Sequence, residues 1–404
     1  MPSTPPEGIE APLDGRLPDS ALATLGTRGF SLYVHVPFCA TRCGYCDFNT
    51  YTAAELGAAP GSSQDAYLSA AVAELDLAVR VLGDPPPVRT VFFGGGTPTM
   101  LPHHCLTGLL DAIRDRFELA ADVEVTTEAN PESVDAAYLE ALVQAGFNRL
   151  SLGMQSARPS ILAVLERRHT PGRVAEVVAA ARSAGFGSIN LDLIYGTPTE
   201  TLSDWRESLS AALALAPDHV SAYSLIVEDG TRLARRIRRG ELAAPDDDLH
   251  ADEHVMAAEL LTEAGLQNYE ISNWALPGHE CQHNLAYWLG DDWWGVGPGA
   301  HSHVGGVRWW NVRHPREYSA RLSADNSPAQ AREVLTKSQH HAERVLLELR
   351  LSRGLPLVEL SPSERARADA FVDEGLALAD GTVLRLTPAG RLLADRLVTD
   401  LVEL

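Results

Sequence analysis

Three cysteines stand within eight positions: Cys39, Cys43 and Cys46, in the run Phe38-Cys39-Ala40-Thr41-Arg42-Cys43-Gly44-Tyr45-Cys46. Thiolates are soft ligands, and a short loop of them suits an iron–sulfur cluster or zinc. Three are too few to close a four-ligand structural zinc site or to saturate a cubane cluster. One iron of such a cubane would stay open, and an open iron can bind a second molecule. The chain has only five cysteines in 404 residues, so this grouping sets the three apart from chance core thiols. An odd, clustered count reads as a cofactor loop in a reducing compartment, here the cytoplasm, rather than a disulfide framework.

The elements that must position this loop follow a simple rhythm. From residue 31 the chain alternates apolar strands with amphipathic helices. Strands are expected at 31–36, 88–93, 123–127, 149–153, 189–194 and 219–225. Helices are expected between them, for example at 64–82, where Leu68, Val72, Leu75 and Val79 recur at spacings of three and four. Six strand–helix repeats imply a parallel sheet with right-handed crossovers, whose functional residues gather at the strand C-termini. Each expected strand end carries polar or glycine-rich residues. The cysteine loop follows the first strand and Gly94-Gly95-Gly96-Thr97-Pro98 the second. Glu128 follows the third, Gln155 the fourth, Asp192 the fifth and Tyr223 the sixth.

Composition limits the rest. Apolar residues make up 45% of the chain, ordinary for a globular protein, and no apolar run approaches the ~20 residues of a membrane span. The net charge of −21 weighs against a nucleic-acid substrate, since phosphate contacts need a basic surface. The arginine run at 232–239 reads as a solvated helix face. Residues 1–28 are rich in Pro and Gly without an apolar core, and are expected to be a disordered extension. A helix at 246–265 and a strand at 267–271 are expected within an extension over 231–330. From 331 to 404 the pattern is helix, helix, hairpin, helix, which suggests a small winged-helix-like domain.

The cysteine array resembles the radical S-adenosylmethionine (SAM) superfamily. That resemblance implies a partial (β/α)6 barrel over 29–230, with a [4Fe–4S] cluster on Cys39, Cys43 and Cys46 and SAM on the fourth iron. The segments Tyr33–Cys39, Phe93–Thr99, Gly153-Met154-Gln155-Ser156 and Asn190–Gly196 resemble the coproporphyrinogen-oxidase-like branch. By that resemblance Tyr33, Tyr45, Gly95, Gly96, Thr97, Glu128, Gln155, Arg167 and Asp192 line the SAM site. Backbone carbonyls of the glycine loop suit an ammonium group and Arg167 suits a carboxylate. Taken singly, Glu128 also reads as a helix cap and Asp192 as a partner for loop amides.

Within the branch the match is closest to the HemW-type haem chaperones. The loop form CxxxCxxCxF is present, with Phe48 where the oxygen-independent coproporphyrinogen III oxidases carry a fourth cysteine. His283-Asn284-Leu285-Ala286-Tyr287-Trp288 matches the HNxxYW motif of the chaperones, and Gly295–Ser302 follows as it does there. The resemblance implies a non-catalytic carrier that binds haem through His283 and hands it to an acceptor haem protein, such as a respiratory one. Peripheral contact with a membrane and a homodimer stay open. Five of the seven tryptophans lie between Trp288 and Trp310 and offer either a porphyrin face or a core. His283 has a second reading as a structural histidine on a strand edge. Cys281 reads either as a further haem ligand or as a small buried thiol. The oxidase, a radical decarboxylase, is the alternative function.

Overall fold

In the computed structural model, residues 8–57, 61–167 and 169–402 are described. Seven strands run parallel: β1 (Phe30–Val36), β2 (Val88–Gly95), β3 (Leu119–Ala129), β4 (Arg149–Gln155), β5 (Ser188–Tyr195), β6 (His219–Ser224) and β7 (Asp292–Val296). The first six pair in chain order and β7 pairs with the free side of β1. The expected partial six-strand barrel is therefore present, with a seventh parallel strand from the 231–330 region. That strand carries two tryptophans and an aspartate and pairs with a partner 262 positions upstream (Asp292 opposite Phe30), so local patterning did not reveal it.

Antiparallel strands extend both ends. On one side Asn273–Ala275 and Gln267–Asn268 follow β6. On the other, His301–Val304, Val307–Asn311, Ala329–Val334 and Ile9–Glu10 follow β7. The sheet has 13 strands among the described residues and does not close. Its parallel strands are buried on both faces, as in β4 where all seven residues are buried. The helix Gln64–Leu82 covers one face with Tyr67, Leu75 and Ala78.

Residues 8–28 depart from the expected disordered extension. Ile9 and Glu10 pair with Arg332 and Ala331, and Ala21 is 1% exposed. Ala11, Leu17 and Ala21 supply the apolar contacts, too sparsely spaced to show a period. Residues 1–7 of that expected extension lie outside the described residues.

A second core forms at the C-terminus around Val345, Leu355, Leu384 and Leu397. Its three-stranded sheet orders Leu355–Pro356, Val383–Leu386 and Ala377–Ala379. The hairpin turns at Asp380, whose carboxylate accepts from the Thr382 and Val383 amides. No described helix is long and apolar enough to cross a membrane.

Candidate functional site

The cysteine loop leaves β1 at Pro37 and is pinned on all sides. The Cys39 amide donates to Tyr51 O and the Tyr51 amide to Pro37 O, which closes the loop at its neck. Phe38 packs edge-on against Tyr67 at 5.4 Å. The Gly96 and Thr97 amides donate to Val36 O and Phe38 O at 2.8 Å each. A Cβ on Gly96 would meet Phe38 O at 2.6 Å and Cys39 Sγ at 3.1 Å, so only glycine permits this approach. Gly95 takes φ +108°, and a Cβ there would meet the His35 ring at 2.5 Å.

The Gly295–Ser302 run supports the same loop from behind. Asn49 donates to Pro298 O and Arg313 O, while its own carbonyl bonds His35 Nε2 at 2.9 Å. A Cβ on Gly297 would strike His35 O at 2.4 Å, and one on Gly299 would strike Asn49 Nδ2 at 2.5 Å. Sequence reading singled out this motif without a role; its glycines make room for the cluster loop's anchors.

The loop opens on a cavity of about 1800 Å³ at the C-terminal ends of the parallel strands. Cys39, Cys43 and Cys46 line it, as do Tyr45, Gly95, Gly96, Thr97, Glu128, Gln155, Arg167 and Asp192. Tyr33 does not. It lies in a smaller chamber of about 130 Å³ behind the wall formed by Glu128, Ser151, Asp192 and Tyr223. Its hydroxyl bonds His35 Nδ1 at 2.9 Å.

Three thiols lining one cavity suit an iron–sulfur cluster. Among the described residues no three His, Cys, Asp or Glu side chains converge as one metal ion would require. The three thiols are nonetheless neighbours, each of Cys39 and Cys46 feeling Cys43. Burial pushes the Cys39 thiol up and Cys46 up to about 12. A bound cation reverses that preference by drawing off the protons. Arg167 reaches Cys43 Sγ at 3.5 Å and Gly153 O at 3.3 Å, and its Nε is buried without a partner among the described residues. That orphaned donor fits a ligand carboxylate. The Gln155 backbone bends to φ +65° at a strand irregularity. A Cβ on Gly153 would meet both the Arg167 and the Gln155 side chains, within 2.6 and 2.9 Å.

The Glu128 and Asp192 carboxyls face this cavity without a basic partner in hydrogen-bond range among the described residues. Glu128 accepts from the Gly95 amide at 3.0 Å; burial and the neighbouring Asp192 push it up to about 8. Burial also raises Asp192, against hydrogen bonds from Ser151 and Asn190 at 2.8 Å each. A cationic or polyhydroxyl ligand would relieve the pair.

His283 lies elsewhere. It is 2% exposed in the smaller chamber, stacked on Phe92 at 5.0 Å. Its Nδ1 bonds Thr90 Oγ1 at 2.6 Å and its Nε2 bonds Tyr287 Oη at 2.9 Å. Burial pulls it down to about 3. Both ring nitrogens are thus engaged, as the structural reading of this histidine describes. Cys281 is buried and donates to Glu124 Oε1 at 3.6 Å. Trp294, Trp309 and Trp310 are core residues, each at most 5% exposed, and offer no porphyrin face. His169, which sequence reading passed over, lines the main cavity. Its signal was its place two residues after Arg167.

The Radical SAM superfamily matches residues 33–212. A protein of Mycobacterium tuberculosis named "Heme chaperone HemW" is 52% identical over 381 residues, covering 94% of this chain and 97% of that protein. The chain belongs to the HemW heme chaperone family. Its Escherichia coli relative of the same name is 40% identical over 71% of this chain and 75% of its own. Among solved structures, the coproporphyrinogen III oxidase of Escherichia coli, described as a radical SAM enzyme, superposes with a TM-score of 0.81 at 25% identity. The match covers 95% of this chain and 92% of that one. This HemW-family chain thus shares the oxidase fold from end to end.

Proposed function

We propose that this protein binds haem and passes it to an acceptor haem protein. The observation that carries the reading is the 52% identity to a heme chaperone over nearly the full length of both chains. Cys39, Cys43 and Cys46 would hold a [4Fe–4S] cluster, with SAM bound beside it. When bound, the cluster supplies an electron source and a Lewis-acidic iron. The protein's part is to place acceptors and donors around the ligand: Gly95, Gly96 and Thr97 at one wall, Arg167 at a carboxylate, Glu128, Gln155 and Asp192 across the cavity, Tyr45 beside the cysteines. Tyr33 acts from behind that wall, holding His35 under the loop. Thiol ligands of this kind belong in a reducing compartment, the cytoplasm. The acidic charge disfavours nucleic acid as a partner.

The end-to-end likeness to the oxidase supports a second reading, radical decarboxylation of a porphyrinogen. Phe48 stands against it, since oxidases of this branch carry a fourth cysteine at that position. The deciding experiment is a haem titration of the anaerobically reconstituted protein, with 5′-deoxyadenosine assayed with and without coproporphyrinogen III. One-to-one haem binding without substrate-dependent 5′-deoxyadenosine is expected. Stoichiometric 5′-deoxyadenosine without haem binding would overturn the carrier.

A further inference from the structure

We propose that Glu200 and Glu253 share a proton and form a pH-sensitive clasp that ties the helix Asp247–Glu263 to the end of β5. Glu200 stands in the turn between β5 and the helix Leu202–Leu213, and Glu253 on Asp247–Glu263. They are 4% and 0% exposed. Glu200 Oε2 accepts from the Thr197 amide at 3.1 Å, and the Gly196 amide faces both carboxyls. Gly196 brings the two elements together. It takes φ +78°, and a Cβ there would collide with the ring of His250, one helical turn before Glu253. From the other side Trp205 Nε1 donates to Glu253 O at 2.9 Å.

The remaining oxygens carry the proposal. Glu200 Oε1 and both oxygens of Glu253 are sealed from water, without a hydrogen-bond partner among the described residues. Such a pair cannot stay doubly charged, since each ion would lack both solvent and a counter-charge. The neighbours supply no counter-charge. Asp204 on Leu202–Leu213 and Asp252 on Asp247–Glu263 add negative charge, and Tyr195 of β5 faces Glu253. The His250 nitrogens are turned to Ser224 Oγ at 3.2 Å and Gly196 O at 3.3 Å.

A proton needs no space of its own, unlike a water or a metal ion, and it turns one carboxyl from acceptor to donor. Burial raises Glu200 to about 8 and Glu253 to about 7, from 4.5. Above 4.5 the folded state therefore keeps protons that the unfolded chain has released. The contribution of the clasp is complete below pH 4.5 and is lost as pH rises through 7 and 8. The strand it closes is the one that carries Asp192 and Ile194 into the large cavity.

The test is urea unfolding of the full chain between about pH 5 and about pH 9, wild type against Glu253→Gln and Glu200→Gln, with infrared difference spectra of the same proteins. Either glutamine supplies a donor that does not titrate. Other buried carboxyls, Glu74 among them, are common to all three proteins and cancel in the comparison. As pH rises, the wild-type folding equilibrium is expected to fall relative to each variant, by up to about tenfold per pH unit for each proton released. The wild type minus variant spectrum should show a protonated carboxyl at the acid end that is gone at the alkaline end. Should one variant fail to fold, the other carries both readouts. A stability difference that does not change with pH, or no protonated carboxyl in the difference spectrum, overturns the shared proton. So does wild-type stabilisation by added Mg²⁺ or Ca²⁺ that both variants lose, which would put a cation between the carboxylates.

Discussion

At the scale of single residues, the cluster loop depends on atoms that are missing. Gly96 lets two carbonyls and the Cys39 sulfur come within 3.1 Å of where a Cβ would stand. Gly96→Ala must push the loop away, at a cost of about 1–3 kcal/mol, the usual range for overpacking. The expected outcome is a lowered iron and sulfide content after reconstitution, with the fold retained by circular dichroism. Full cluster loading in that variant would show that the loop is held loosely. Phe48 belongs to the same scale. Its exposed ring lines the cavity in place of a thiol, so the protein offers three cysteines there and no more. The cysteines and Phe48 were legible in sequence because the chemistry of a ligand loop is local. The place of His169 beside that cavity was not, because only folding sets which residues share a wall.

At the scale of elements, the helix Gln64–Leu82 is locked to the far end of the sheet by one side chain. Glu74, fully buried, accepts from Tyr318 Oη at 2.5 Å, Asn311 Nδ2 at 2.7 Å and the Gly297 amide at 2.8 Å. Burial outweighs these bonds and raises its pKa from 4.5 to about 7. Between those values the folded state keeps a proton that the unfolded chain has released. Its contribution is therefore fully present below pH 4.5 and is lost as pH rises through 7. Glu74→Gln keeps the shape and removes the ionisation. Urea unfolding should show wild-type stability falling relative to the variant as pH rises, by at most about 1.4 kcal/mol per pH unit. A pH-independent difference would contradict this. The helix itself was plain from its apolar spacing. Glu74 looked like any other charged position, since only packing turned its face inward.

At the scale of the whole molecule, one edge of the large sheet is completed by the N-terminal segment. The N-terminal segment pairs Ile9–Glu10 with Ala329–Val334, and the Ser327 amide donates to Leu13 O at 2.6 Å. Arg332 Nη1 donates to Arg16 O, and Arg28 Nη1 to Gly290 O. Deleting residues 1–28 should lower the melting temperature by about 2–4 °C for each kcal/mol of stability removed, and should expose a strand edge that promotes association. Thermal melts and light scattering would check this. A truncated protein with an unchanged melt and no association would mean that the segment is ornamental. The C-terminal core meets the same body through Ile271 and the Ser352–Tyr269 backbone bond.

The amino-acid sequence by itself determined the ligand loop, the alternation of parallel strands and helices, and the strand ends where polar residues meet. Each of these is a local pattern: thiol spacing, apolar period, glycine where the chain must turn. Tertiary structure alone decided which residues share a wall. It joined β7 to β1 across 262 positions and brought the Gly295–Ser302 run beneath the cysteine loop. It also sealed His283 between Thr90 and Tyr287. The physical reason is the same in every case. A side chain's chemistry is written in the sequence, but whether its polar atoms are spent on neighbours or left for a ligand depends on contacts between segments far apart in the chain.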